Sequence, residues 1–119
     1  MINIAKNNII TITAGDYFKM PVFINAGNYL LPLRYILQPD DRLYLSIMEP
    51  NQPFEVGVVR KIYSVENLNA AGDPVIELLP SDTENLLPGL YYYELKLVIN
   101  KDGEDLLSTI RPKTKFYIL

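Results

Sequence analysis

The stretch of sequence that decides the fold runs from residue 79 to residue 95, and it reads Leu79-Pro80-Ser81-Asp82-Thr83-Glu84-Asn85-Leu86-Leu87-Pro88-Gly89-Leu90-Tyr91-Tyr92-Tyr93-Glu94-Leu95. Its first half favours a helix start, because Pro80 precedes the turn, Ser81 or Asp82 can cap it, and Ser81 with Glu84 has capping-box spacing. A Pro-Gly pair then ends the turn, and the Tyr-rich run after it is typical of a strand. We therefore predict one short helical turn near 81–86 that crosses between two strands.

The same stretch supplies side chains that can fix this crossover. Leu86 is predicted to plug the core beneath the turn. Tyr91 and Tyr93 share one face of the following strand and Tyr92 lies on the other, since successive side chains of a strand alternate. Either Tyr91 or Tyr93 can donate its hydroxyl to a crossover carbonyl that no sheet ladder satisfies, an arrangement called a tyrosine corner.

The rest of the chain consists of short apolar runs separated by turn signals roughly every ten residues. This spacing is typical of an all-β sandwich or barrel. Lys101-Asp102-Gly103 predicts a tight hairpin turn, whereas Pro112 interrupts the returning strand. The predicted extended segments are 9–13, 17–24, 29–37, 42–48, 56–63, 75–79, 90–99, 106–110 and 115–119.

Composition indicates a single domain over residues 1–119 and excludes several kinds of chemistry. The 119 residues are 49% hydrophobic and 21% charged, as in an ordinary globular domain. Without Cys or His, the chain has no thiolate-bound metal, no disulfide and no Ser-His-Asp triad. A net charge of −3 argues against a nucleic-acid partner. No apolar run reaches the length of about eighteen residues that a membrane span needs, and no secretory signal pattern is present, so we expect synthesis in a bacterial-type cytoplasm.

Acidic residues are the remaining candidates for metal binding or acid-base chemistry. Asp16, Asp40, Asp41, Asp82 and Glu84 all lie in predicted turns or caps, where a carboxylate accepts backbone hydrogen bonds. The spacing of a calcium loop is absent. We therefore expect no metal site, no cofactor and no catalytic residue.

Four segments, in this order, resemble small immunoglobulin-like proteins encoded among the structural genes of tailed phages and prophages of Gram-positive bacteria. These proteins include the N-terminal modules of baseplate upper proteins and head-fibre or minor structural proteins. The matching segments are Ile9-Ile10-Thr11-Ile12-Thr13-Ala14-Gly15-Asp16, Gln38-Pro39-Asp40-Asp41-Arg42-Leu43-Tyr44-Leu45, residues 79–94, and Lys101-Asp102-Gly103.

The resemblance implies an immunoglobulin-like antiparallel sandwich of about seven strands. It also implies a virion component rather than an enzyme, serving as capsid decoration or head fibre, or as an accessory of the neck, tail or baseplate. Its partners would be other virion proteins, and homo-oligomers or multivalent display in a symmetric particle would strengthen weak contacts. We expect no fibre shaft or receptor-binding head on this chain, since no long extension follows the matching segments.

A small carbohydrate-binding module is the alternative function. Tyr92, with Tyr44 or Tyr63, can form an exposed aromatic stripe that binds host cell-wall glycans. Cross-strand packing explains the same tyrosines without a ligand, and the absence of Trp argues against sugar stacking.

Several segments are candidates for protein contacts. The basic side chains near residue 113 either contact an acidic neighbour or keep an edge strand from pairing wrongly. Phe116-Tyr117-Ile118-Leu119 either closes the core or docks on a partner, and Met1-Ile2-Asn3-Ile4 is apolar in the same way. Tyr29-Leu30-Leu31-Pro32-Leu33 is either a buried loop or an exposed patch. The candidate interface residues are Tyr29, Leu30, Leu31, Tyr92, Arg111, Lys113, Lys115, Phe116 and Tyr117.

Overall fold

A helical turn crosses between two strands in the computed structural model, which describes residues 2–27, 30–31 and 33–119. This turn, α1, spans Pro80–Thr83 and is shorter than the sequence predicts. Asp82 Oδ2 caps it by accepting a hydrogen bond from the backbone N–H of Leu79 at 2.7 Å. Thr83 Oγ1 accepts a hydrogen bond from the backbone N–H of Gly15 at 3.0 Å, so the crossover is tied to the first turn of the sandwich.

Strands are the main secondary structure of the described residues. Two 3₁₀ turns, Phe54–Val56 and Val65–Asn67, lie in connections, and no helix in the described part of the chain is long and apolar enough to cross a membrane. The strands are β1 (Ile2–Ile4), β2 (Ile10–Ile12), β3 (Phe18–Pro21), β4 (Arg42–Met48), β5 (Val59–Tyr63), β6 (Val75–Leu78), β7 (Gly89–Lys101) and β8 (Glu104–Ile118).

Two sheets pack into a sandwich, which confirms the predicted fold class. One sheet has six strands in the order β1-β2-β8-β7-β4-β5, and the other pairs β3 with β6. The adjacency of β4, β7 and β8 in one sheet and of β3 and β6 in the other matches the immunoglobulin arrangement of strands C, F and G facing B and E. All neighbours are antiparallel except β2 and β8, which run parallel.

The core lies between the inner faces of the two sheets. Leu43, Leu45 and Ile47 alternate along β4 and are almost fully buried, as the sequence pattern predicts. Tyr93 and Phe116 pack edge to face near the centre, with ring centroids 6.0 Å apart. Most of the described buried apolar residues form one cluster that spans both sheets.

The returning strand is one continuous element rather than the two predicted pieces. β8 passes through Pro112 because its register against β7 shifts twice, between the pairs Tyr93–Thr114, Leu95–Arg111 and Lys96–Thr109. A bulge leaves residues outside the ladder, and proline, which has no N–H to donate, is tolerated there. The hairpin turn itself is as predicted, with positive φ at Asp102 and Gly103.

The predicted extended piece over 29–37 is a loop in its described part. Its flanks are held by a bridge between Asn25 and Arg34 rather than by a sheet. Conversely, residues 2–4, which the sequence analysis left without a strand, pair with β2 as an edge strand. Of the apolar opening Met1-Ile2-Asn3-Ile4, the first residue lies outside the described residues.

Candidate functional site

The crossover tyrosines serve the fold. Tyr91 donates its hydroxyl to the carbonyl oxygen of Leu87 at 2.7 Å, which is the hydrogen bond that a tyrosine corner requires. Tyr93 donates instead to the carbonyl oxygen of Asn8 at 2.7 Å. Leu86 is partly buried and packs against the core cluster.

Burial raises the pKa of both phenols above the ordinary value of 10.0. For Tyr91, the charge of Glu49 adds to this effect. For Tyr93, the guanidinium of Arg111 opposes it. Both hydroxyls are therefore protonated near neutral pH, where they can donate to the carbonyls but do not supply a nucleophile.

The acidic residues lie in turns and caps. Asp41 is 1% exposed, and its Oδ2 accepts hydrogen bonds from the backbone N–H of Gln38 and from the hydroxyl of Tyr35. Asp82 caps α1 and forms an ion pair with Lys61 at 3.1 Å. Among the described residues, no three acidic side chains gather into a group that could hold a metal ion.

A surface cleft of about 240 Å³ lies on the outer side of β3 and β6. Its ionisable lining consists of Lys19, Glu66 and Glu77. Glu77 Oε2 accepts a hydrogen bond from the hydroxyl of Tyr17. These contacts give no side chain the paired base that an activated nucleophile needs.

The proposed tyrosine stripe is not assembled. Tyr63 is 4% exposed and turns inward, where its hydroxyl donates to the Glu77 carbonyl oxygen at 2.8 Å. Tyr44 and Tyr92 are on the outer face of the six-stranded sheet, opposite Lys96 and Met48 respectively, so about four residues separate them along the strands. The turn that contains Phe54 lies over Ser46, which is between these two tyrosines on the sheet. The carbonyl oxygen of Phe54 accepts a hydrogen bond from Ser46 Oγ at 2.7 Å.

The structure corrects two of the candidate interface residues. Phe116 is 1% exposed and belongs to the core, so residue 116 closes the sandwich rather than docking on a partner. Arg111 is half-buried; its Nη1 donates to the Tyr93 hydroxyl at 3.1 Å, and its guanidinium carbon lies 5.9 Å from the centroid of that ring. The bulge in β8 causes this, since it places Arg111 opposite the inward-facing Leu95.

The other basic candidates remain on the surface. Lys113 Nζ donates to the carbonyl oxygen of Gln52 at 3.3 Å. Lys115 is exposed and lies opposite the half-buried Tyr92, and Tyr117 is half-buried between Thr11 and Leu90.

One end of the sandwich, which we call the apical end, gathers exposed apolar side chains. It consists of the described residues of 22–41 together with residues 64–74 and 98–107, because β3, β5 and β7 end there and β4, β6 and β8 begin there. The loop over residues 25–34, called the apical loop below, exposes Leu30 by 78%, Leu31 by 76% and Leu33 by 63%. Tyr29 lies outside the described residues. In antibody variable domains the corresponding connection, between strands B and C, is a binding loop.

Hydrogen bonds within the apical loop fix its two ends. Asn25 Oδ1 accepts from the backbone N–H groups of Gly27 and Leu33 at 2.9 and 3.0 Å. Ala26 N–H bonds the Leu33 carbonyl oxygen at 2.7 Å. At Gly27, an added Cβ would lie 2.3 Å from the carbonyl oxygen of Leu31, so only glycine permits this close approach. The sequence predicts a turn over residues 25–28, but it does not identify Asn25 as the residue whose side chain holds the loop.

The base of the apical loop is anchored to the neighbouring connection. Arg34 Nε bonds Asp73 Oδ1 at 2.8 Å, and its guanidinium carbon lies 5.3 Å from the ring centroid of Phe23. A groove of about 290 Å³ separates the loop from the inner side of the β7–β8 hairpin, whose strands contribute Leu97, Ile99 and residues 108–110.

A scan against protein-family models found no match, and neither did searches of curated proteins and of solved structures.

Proposed function

We propose that this protein is a non-enzymatic binding module that attaches to another protein through its apical loop. On the strength of the sequence resemblance, we place it in a tailed-phage virion, as a capsid decoration or head fibre or as an accessory of the neck, tail or baseplate. It is made in the bacterial host cytoplasm and binds other virion proteins.

The observation that carries this proposal is the exposure of Leu30, Leu31 and Leu33 in one hydrogen-bonded loop. Fully burying a leucine side chain gains roughly 1.5–3 kcal/mol, so a partner that covers this loop obtains a useful fraction of its binding energy from these side chains. Asn25 already holds the two ends of the loop, which lowers the ordering entropy that binding costs at those ends. A symmetric particle would add multivalency.

The test compares two variants in purified particles. Leu30→Ser with Leu31→Ser removes apolar surface from the apical loop. Leu87→Ser removes a leucine that is 78% exposed at the opposite end and serves as the matched control. We expect quantitative mass spectrometry to find the wild type and the control at a fixed ratio to the major capsid or tail protein, and the loop variant depleted about tenfold or more.

Three results would contradict the proposal. Absence of the wild-type chain from particles would remove the virion setting. Equal incorporation of the loop variant would show that another surface attaches the protein. Retention of the wild type on purified cell walls, with loss on Tyr92→Ala or Tyr44→Ala, would favour the glycan-binding alternative.

A further inference from the structure

The distal half of the β7–β8 hairpin presents a sheet edge that nothing in the described part of the chain covers. β2 pairs with β8 only from Phe116 to Ile118. No strand pairing or backbone hydrogen bond among the described residues reaches 104–115 from the side away from β7. Residues 104–109 are all exposed, including Leu106 at 46% and Leu107 at 63%.

This edge differs along its length. From residue 111 to residue 115 it carries a bulge, Pro112 and two lysines, which are the usual devices against edge pairing. From Glu104 to Thr109 the β8 strand pairs regularly with β7, and this segment of β8 contains neither proline nor lysine. The part over residues 104–110, called the open edge, is therefore able to accept another strand.

We propose that the open edge pairs antiparallel with the open edge of a second copy of this chain. Glu104 and Asp105 stand at its start, whereas Arg111, Lys113 and Lys115 follow its end. An antiparallel copy brings the acidic start of each strand beside the basic end of the other, and a parallel copy would bring like charges together. The charge pattern thus complements itself about a two-fold axis.

The shape of the molecule permits this pairing. Seven residues of strand extend the hairpin by about 24 Å, and antiparallel pairing puts the two sandwich bodies at opposite ends of the joined hairpins. Leu107 lies on the outer face opposite Val98, so Leu107 of each copy meets apolar surface near the axis. The contact is smaller than a standard interface, and we expect a dimer that dissociates in the micromolar-to-millimolar range.

This inference does not rest on the proposed function, because the apical loop does not take part in it. The chain has no Cys, so a single introduced Cys can form a disulfide only between two copies. We expect mild oxidation to cross-link Leu107→Cys, since residue 107 lies at the two-fold axis, where directly opposite residues of antiparallel strands come within disulfide range. Ser81→Cys, an exposed position at the opposite end, is the matched control and should stay monomeric.

Sedimentation velocity over a concentration series gives an independent readout. Glu104→Lys with Asp105→Lys should weaken the dimer roughly tenfold, because these lysines then face the basic residues of the second copy. Glu66→Lys with Glu84→Lys changes the net charge equally at exposed positions elsewhere and should leave the dimer unchanged.

Three outcomes would overturn the inference: a wild type that stays monomeric at millimolar concentration, equal cross-linking at residue 81, or a dimer that the reversal at 104 and 105 leaves intact. Leu30→Ser with Leu31→Ser should remain dimeric. Loss of particle binding in that variant and loss of the dimer in the edge variant are therefore separate results.

Discussion

The hydroxyl of Tyr91 shows how one atom secures a crossover. The chain between α1 and β7 carries carbonyl groups outside any ladder, and Tyr91 donates to one of them, that of Leu87. Its ring is 6% exposed, so water has little access to replace the bond. The hydroxyl therefore contributes to stability rather than only to solubility.

Tyr91→Phe should lower the free energy of unfolding by about 1 kcal/mol, since it removes this hydrogen bond and keeps the packing of the ring. Urea denaturation followed by circular dichroism measures the change. Tyr92→Phe, on the outer face, is the matched control and should stay within about 0.5 kcal/mol of wild type. Equal effects of the two substitutions would contradict a special role for the corner.

At the residue scale, the sequence predicts the chemical character of a side chain better than the face of the sheet on which that side chain lies. The apolar character of Leu30 and Leu31 was visible, and both are exposed as the interface hypothesis requires. Phe116 and Arg111 were assigned to the same hypothesis, yet they face the core. Alternation shows that neighbouring residues point to opposite faces, but a nearby bulge, as beside Arg111, can reverse which face is buried.

The turn between β4 and β5 illustrates how an element covers a sheet. Phe54 lies in this turn and is 9% exposed, with Lys96 Nζ 4.4 Å from its ring centroid. Beneath the turn, Ser46 and Met48 are fully buried although they belong to the outer face of β4. The turn therefore forms a small second core outside the sandwich.

Gly57→Ala should destabilise the protein by about 2 kcal/mol, because an added Cβ would lie 2.2 Å from Ser46 Oγ and 2.6 Å from the Ile47 carbonyl oxygen. Either the turn or the strand must shift. Thermal and urea unfolding measure the loss, with the exposed Glu55→Ala as a control expected within about 0.5 kcal/mol of wild type. A Gly57→Ala protein as stable as the control would mean that the turn is not held against β4.

Elements were predictable where a single local signal decides them. β4 has the predicted bounds, Arg42–Met48, because its inner face alternates without interruption. β8 was split at Pro112, since proline normally ends a strand and nothing local reveals the bulge that accommodates it. β1 was missed because three residues are too short for a periodic signal, and its partner β2 defines it.

Across the whole molecule, phenols join separate segments of the chain. Tyr63 reaches from β5 to the backbone of β6, Tyr93 reaches from β7 to residue 8, and Tyr35 bonds Asp41 before β4. Desolvation raises the pKa of Tyr35 from 10.0 to about 12, with the hydrogen bond to Asp41 adding to it. Desolvation also raises the pKa values of Tyr63 and Tyr93.

These shifts predict a loss of stability at alkaline pH. A folded-state pKa above the unfolded value means that the protonated phenols contribute stability fully below pH 10.0, and that this contribution is lost as the pH rises toward about 12. Free energies of unfolding measured across this range, with phenolate absorbance recorded in parallel, test it. Tyr35→Phe should flatten part of the decline, whereas an unchanged stability through this window would contradict the burial of these hydroxyls.

The parallel pair of β2 and β8 has a mechanical consequence. A force that enters at the start of β2 and leaves at the end of β8 pulls the two strands in opposite directions along one axis. The ladder from Ile10–Phe116 to Ile12–Ile118 then carries the load in shear, together with the bond from Leu119 N–H to the Ile12 carbonyl oxygen at 2.9 Å. All these bonds must break at once rather than in succession, so tension along this path meets the strongest resistance that so short a strand can offer.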